Sequence, residues 1–199
     1  MPRDLDSSRL EAFSDGVIAV IITIMVLDLR VPSARELGNT AALHADLRLI
    51  LVYLLSFVQV GIYWVNHHYL IDDVEQVSHG ILWANLAFLF ALSLFPFATN
   101  WVGERGISSF SIALYAVVSV LPAITWVALS NIICRQCGIP PAGSRTKQFV
   151  SSSLYIAAIP VACYHPFVAI GMIVLVAILW LVPPRRLQGT AKTEVSPTT

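Results

Sequence analysis

The feature that most constrains this chain is a series of apolar stretches, each close to the length that crosses a lipid bilayer. A membrane-spanning α-helix takes about 20 mostly apolar residues, because each residue advances the helix by about 1.5 Å. Five stretches meet or approach this length, namely Leu47–Trp64, Ile81–Val102, Ser109–Ile133, Phe149–Tyr164 and Phe167–Val182. The sequence therefore predicts an all-α polytopic membrane protein.

A sixth apolar run, Gly16–Leu27, is too short to cross a bilayer alone. A helix from about Ser8 to Leu29 would be long enough, but it would carry four charged side chains, Arg9, Glu11, Asp15 and Asp28. Such charges are too costly to face hydrocarbon, so this first helix must face protein or water. The prediction is six transmembrane helices, of which the first is unlike the rest.

The composition supports a membrane protein and excludes one class of partner. Hydrophobic residues make up 57% of the chain and charged residues 12%, against about 45–50% and 25% in soluble domains. The 12 basic residues are balanced by 12 acidic ones. This balance gives no basic surface for a polyanion, so nucleic acid is excluded as a partner and membrane lipid is expected.

Basic residues in the loops predict the orientation. Six spans place both termini and the loops near residues 70–79 and 135–148 on one side. That side holds Arg3, Arg9, Arg135, Arg145, Lys147, Arg185, Arg186 and Lys192, whereas the other holds Arg30, Arg35, Arg48 and Arg105. Because Lys and Arg are enriched in cytoplasmic loops, both termini are predicted to be cytoplasmic. We expect a six-helix transmembrane domain at residues 1–185 and a disordered cytoplasmic tail at 186–199.

The predicted first helix has two different surfaces. At 100° per residue, an apolar stripe falls within about 80° of arc, and its members are Phe13, Gly16, Val20, Ile24 and Leu27. Ser14 and Asp15 point roughly 120–140° away from Val20. They form a polar patch on the same side of the membrane as the end of the second helix, which carries Asn66, His67 and His68. Polar pairs between membrane helices connect neighbours, so we interpret this patch as structural rather than as part of a permeation path.

Several segments resemble one known family. The first helix opens with Arg9-Leu-Glu-Ala-Phe13-Ser14-Asp15, and R-x-x-x-F-S-D resembles the signature of the transmembrane protein 175 family. That family comprises the endolysosomal potassium channels of animals and their smaller prokaryotic relatives. Similar segments follow at Trp64-Val-Asn66-His67-His68, Asn85-Leu and Leu94-Phe-Pro96-Phe-Ala-Thr99. The resemblance covers the first half of the chain, and the second half agrees in hydropathy and length.

The resemblance implies a potassium channel in a prokaryotic cell membrane. It implies a homotetramer whose first helices line a central pore, with potassium as the permeant ion and no cofactor. Val20, Ile24 and Leu27 match the positions that form stacked apolar constrictions in relatives, and Thr23 matches a threonine thought to favour potassium. Relatives commonly carry isoleucine where this chain has Val20. The smaller side chain should widen that ring and move the narrowest point to Ile24 or Leu27.

The residues alone leave a simpler interpretation of the stripe, which is ordinary packing against other helices. The chain has no T-V-G-Y-G loop, so a pore lined by this stripe would select by dehydration at an apolar ring. Potassium loses its hydration shell more easily than sodium, and such a ring would favour potassium modestly.

Competing functions remain open at this point. Asp15 with His67 or His68 could relay protons in a secondary transporter or proton carrier, because charges inside a membrane are functional candidates. Cys134 and Cys137 form a C-x-x-C that could serve redox or metal chemistry. A metal site is disfavoured because no H-E-x-x-H motif occurs and no second C-x-x-C completes a zinc set. No G-x-S-x-G motif indicates a hydrolase, so no enzyme is predicted.

Overall fold

The computed structural model describes residues 7–27, 39–72, 74, 76–138 and 145–181. These residues form seven helices: α1 (Ser7–Leu27), α2 (Asn39–Asp72), α3 (His79–Ser93), α4 (Phe95–Arg105), α5 (Ser109–Cys137), α6 (Arg145–Tyr164) and α7 (Pro166–Leu181). Leu94 alone separates α3 from α4, with a proline in the first turn of α4. The two helices together make one crossing, so the seven helices form six segments.

Four segments of the described chain are long and apolar enough to cross a membrane, and these are Ser7–Leu27, Leu49–Asp72, His79–Arg105 and Ser109–Cys137. Helix α7 is apolar but shorter, at 16 residues. Helix α6 has 20 residues and begins with Arg145 and Lys147 in its first turn. The prediction of an all-α polytopic membrane protein is confirmed, and the six segments occur in the predicted order.

Several helices extend beyond the apolar runs, and α2 and α5 show this at their C-terminal ends. Helix α2 starts at Asn39 and ends at Asp72, whereas the apolar run suggested Leu47–Trp64. Its polar last two turns stay helical because side chains there bond to α1 and α3, as described below. Helix α5 continues for one more turn, to Cys137, and Gly138 ends it in the left-handed conformation with φ of 65°.

Helix α1 lies against α2, α3 and α4, whereas α5 packs against α3, α4, α6 and α7. Helix α2 also contacts α4 and α7. Helices α2 and α4 approach each other closely at Gly103, where a β-carbon would collide with the Leu49 side chain. Phe88 is fully buried between Tyr63 and Trp126, with ring centroids 5.6 Å from each. This aromatic contact joins α2, α3 and α5 in the core.

Some predictions fall outside the described residues. They include the tail at 186–199 and the predicted end of the first helix at Asp28 and Leu29. The structure does place the start of α1 beside the end of α2, as six alternating spans require. Which side of the membrane the termini face stays a prediction.

Candidate pore helix and its polar anchor

Helix α1 presents one buried face and one exposed face. The buried face packs against the neighbouring helices of the same chain through Leu10, Ser14, Ile18, Ile21 and Met25. The apolar stripe lies on the other side, where Phe13 and Val20 are each 53% exposed, Ile24 is 44% exposed and Leu27 is 77% exposed. Gly16 is also exposed. The stripe therefore does not pack against the rest of its own subunit as far as that subunit is described.

An open apolar groove runs along this face. It has a volume of about 770 Å³ and lies between α1 and the junction of α3 with α4. One wall carries Phe13, Gly16, Val20 and Ile24, and the other carries Ser93, Pro96 and Phe97. A β-carbon on Gly16 would meet no atom within 4 Å. The face of α1 is therefore open at Gly16 in the described structure.

Thr23 lies on the exposed side of α1 next to the stripe. Its hydroxyl bonds to the backbone carbonyls of Ala19 and Val20, each at 3.0 Å. The hydroxyl hydrogen is therefore used inside the helix, and the oxygen keeps lone pairs that can accept. An exposed oxygen of this kind can contact a cation or its water.

Ser14 connects α1 to α3 and, through it, to α2. The Ser14 Oγ donates to the Leu10 carbonyl at 2.8 Å and accepts from Asn85 Nδ2 at 2.9 Å. The amide oxygen of Asn85 lies 2.7 Å from His67 Nε2. Because an amide oxygen only accepts, His67 donates from Nε2. The three side chains are fully buried and tie three helices together.

The buried surroundings of His67 also determine its tautomer and its charge. Its ring stacks on Phe88 with centroids 5.6 Å apart and 5° between the planes. Its Nδ1 atom is buried and has no hydrogen-bond partner among the described residues. A protonated Nδ1 would need an acceptor, so this environment favours the neutral imidazole with its hydrogen on Nε2.

Two further contacts join α1 to α2. Trp64 Nε1 donates to Asp15 Oδ1 at 2.9 Å. His68 Nδ1 lies 2.9 Å from Glu11 Oε1, and the His68 side chain is 48% exposed. We call this set the polar anchor, and it consists of Glu11, Ser14 and Asp15 on α1, Trp64, His67 and His68 on α2, and Asn85 on α3. Its contacts join one end of α1 to both α2 and α3.

The structure brings together most of the polar residues that the sequence singled out, but two lie apart. Arg9 is exposed and makes no hydrogen bond or ion pair with any other described residue. Asn66 donates to the Ile62 carbonyl of its own helix at 2.7 Å and lines a pocket on another side of α2. Asn85 was missed as a bridge, although it is the only Asn within the apolar run of α3. Glu11 was missed as a partner of His68.

The competing chemical sites receive no support from the geometry. Within the described part of the chain, no group of three His, Cys, Asp or Glu residues could hold a metal ion. Cys134 and Cys137 are not joined by a disulfide bond.

Comparisons with known proteins identify related sequences and one related fold. The family model described as endosomal/lysosomal potassium channel TMEM175 matches residues 9–96. A potassium channel of Chryseobacterium sp. (strain P1-3) is 42% identical over 193 residues, which cover 94% of this chain and 99% of the relative. The endosomal/lysosomal proton channel TMEM175 of Homo sapiens is 35% identical over 102 residues, or 45% of this chain and 20% of the human protein.

The fold is similar to that of a solved structure, the crystal structure of a lysosomal potassium-selective channel TMEM175 homologue from Chamaesiphon minutus. The TM-score is 0.70 at 23% sequence identity, and the match covers 88% of this chain and 96% of that chain. The region that matches the family model contains α1, α2, α3 and the whole polar anchor.

Proposed function

The chain belongs to the TMEM175 family, and from that premise we propose that it is one subunit of a homotetrameric cation channel that conducts potassium. The named relatives are channels, and the chain is not an enzyme. The observation that carries the proposal is the apolar stripe on α1, which is exposed while the opposite face of the same helix is buried. Four such stripes facing one axis would line a pore.

Lipid is the obvious alternative neighbour for an exposed apolar stripe in a membrane. Two features favour a protein-lined pore instead. The stripe begins at Phe13 and Gly16, in the same turns as Glu11 and Asp15, which lipid would disfavour. It also carries a glycine and adjoins Thr23, and small residues are enriched where membrane helices approach one another. An adjacent copy of α1 fits the groove along this face.

The stripe would set selectivity through dehydration. Val20, Ile24 and Leu27 follow each other at four and three residues, so four copies would form rings about 5–6 Å apart along the axis. An apolar ring removes water from a cation and offers no oxygen in return, which penalises sodium more than potassium. Val20 is the smallest of the three, so we place the narrowest point at Ile24 or Leu27. Thr23 would offer its hydroxyl oxygen close to these rings.

The polar anchor would hold α1 in register rather than conduct ions. Asp15 accepts a hydrogen bond from the Trp64 indole, and Ser14 is buried against α3. A pore helix needs such fixation, because rotation by one residue would turn the stripe by about 100°.

A proton carrier that uses Asp15 with His67 or His68 is the second candidate. The human relative is named a proton channel, and acidic and imidazole groups lie close together at this end of α1. However, Asp15 binds Trp64, whereas His67 binds Asn85. No hydrogen bond joins Asp15 to either histidine in the described structure, so these contacts provide no direct proton path.

Ion flux in proteoliposomes distinguishes the two candidates. Purified protein should dissipate a potassium gradient at channel rates. The potassium flux is recorded with a potassium-sensitive dye while a second ionophore sets the membrane potential. A carrier would instead show slow turnover that saturates with substrate. Proton-coupled flux without potassium conductance would contradict the proposed channel.

A further inference from the structure

A second buried polar network crosses the subunit away from α1. Ser56 Oγ lies 2.7 Å from both Thr99 Oγ1 and Tyr115 Oη. Tyr115 donates to Gln59 Oε1 at 2.8 Å, and Gln59 Nε2 donates to Tyr155 Oη at 3.0 Å. The network joins α2, α4, α5 and α6, and all five side chains are buried.

The hydrogens of this network have a defined direction. The Gln59 amide oxygen only accepts, so Tyr115 uses its hydrogen there and must accept the bond from Ser56. Ser56 in turn accepts from Thr99. The Ser56 hydrogen is shared between Tyr115 and the Val52 carbonyl, and the Thr99 hydrogen is shared between Ser56 and the Phe95 carbonyl. At the other end Tyr155 accepts from Gln59. The Tyr155 hydrogen is therefore not used within this chain of bonds, and no hydrogen bond donated by Tyr155 is observed within residues 7–27, 39–72, 74, 76–138 and 145–181.

Tyr155 lines a small pocket between α2, α5, α6 and α7. Trp126 lines the same pocket and is only 4% exposed. Its Nε1 atom is buried and lacks a hydrogen-bond partner in the described structure. Two side chains with a donor for which no acceptor is observed in the described structure thus line one pocket. Leaving a buried donor unsatisfied costs about 1–3 kcal/mol, so an acceptor is expected there.

The size and lining of the pocket define what that acceptor can be. Its volume is about 30 Å³, and a cavity needs about 10–15 Å³ on this measure to hold one water molecule. An acyl chain could not accept a hydrogen bond, whereas a water molecule can accept one from each donor. Asn66 and Ser152 also line the pocket and can accept hydrogens from a guest. The Asn66 amide nitrogen already donates to Ile62, which leaves its oxygen for this purpose.

We propose that this pocket is a hydration site that binds one water molecule, with Trp126 and Tyr155 both donating to it. The water completes the network that begins at Thr99, so the hydrogen bonds extend from α4 to the α6–α7 side of the subunit. Gln59 interrupts proton transfer along this network, because an amide would have to gain a proton on oxygen and lose one from nitrogen. The hydrated network therefore connects the helices through hydrogen bonds and lies apart from the pore that α1 would line.

A double-mutant cycle on the purified intact oligomer tests the shared water. Trp126→Phe and Tyr155→Phe each remove one donor, and thermal unfolding is measured for both single variants and for the double variant. If both donors bind the same water, the double variant loses less than the sum of the two losses, by about 2–4 °C in Tm. Effects that each substitution has independently of the other cancel in the cycle, whereas coupling through the shared pocket does not. Additive losses would overturn the proposal.

Trp101→Phe is the matched control, because Trp101 Nε1 is likewise buried without a partner in the described part of the chain but lies outside this pocket. Trp101→Phe combined with Tyr155→Phe should give additive losses. An experimental structure that resolves internal water should show density within hydrogen-bond distance of Trp126 Nε1 in the unmodified protein and in Trp101→Phe. Elongated density of a lipid chain, or an empty pocket beside ordered waters elsewhere in the bundle, would contradict the hydration site.

Discussion

Three consecutive residues of α1 point in three directions and serve three roles. Phe13 is exposed on the stripe, and Ser14 is fully buried against α3. Asp15 accepts a hydrogen bond from the indole of Trp64 on α2. A helix turns by 100° per residue, so neighbours in sequence necessarily face different surroundings. The F-S-D segment thus marks the point where one helix meets two neighbours and keeps a third face free.

Asp15→Ala should weaken assembly more than it changes ion selectivity, because it removes the acceptor of the Trp64 indole and leaves the stripe intact. Recovery of the oligomer by size-exclusion chromatography and the potassium-to-sodium permeability ratio provide the two measurements. Trp64→Phe removes the same bond from the other side and should reproduce the effect. His68→Gln is the comparison with a smaller expected loss, since a polar contact at a side chain that is 48% exposed contributes only about 0–1 kcal/mol. A well-assembled Asp15→Ala protein with reversed ion preference would instead place Asp15 in the pore.

At the scale of helices, one buried hydrogen bond between side chains joins α1 to α3 in the described part of the chain, and it links Ser14 with Asn85. Ser14→Ala would leave the Asn85 amide nitrogen without an acceptor in the core. Hydrogen bonds between membrane helices contribute about 0.6 kcal/mol on average and up to about 1.7 kcal/mol. We expect a loss in this range, measured as a lower unfolding temperature in detergent. Ser153→Ala, at an exposed site on α6, should change the temperature little. Equal losses for the two variants would show that the pair does not fix α1.

The sequence predicted the helices better than it predicted their contacts. Apolar length located five of the six segments, because hydrocarbon thickness sets a physical minimum for a crossing helix, and the first helix was found by adding its charged flanks to a shorter apolar run. The extension of α2 to Asp72 could not be predicted this way, since its polar last turns depend on partners from other helices. Asn66 and His67 are adjacent, yet only His67 reaches α3. Helical periodicity predicts that the two side chains point about 100° apart. It does not predict which neighbouring helix lies on the side of each one.

At the scale of the whole molecule, the exposed stripe predicts that subunits meet around α1. In a background in which Cys134, Cys137 and Cys163 are replaced by serine, a single cysteine at Val20 or Ile24 should form cross-linked oligomers with short thiol reagents. Val26→Cys is the matched control, because Val26 is 46% exposed on α1 but lies about 120° from Val20. Labelling of positions 20 and 24 by lipid-soluble reagents alone, without cross-links, would contradict the proposed architecture.

The central claim is that the α1 stripe forms the selective constriction, and bi-ionic reversal potentials test it most directly. Val20→Asn, Ile24→Asn and Leu27→Asn each place a polar side chain in one proposed ring and restore water contacts for the ion. Conduction should rise and the potassium-to-sodium ratio should fall, with larger effects at Ile24 and Leu27 than at the already small Val20. Val26→Asn should leave the ratio unchanged. Unchanged ratios in all three stripe variants would mean that the stripe faces lipid or packs against helices and that the pore lies elsewhere.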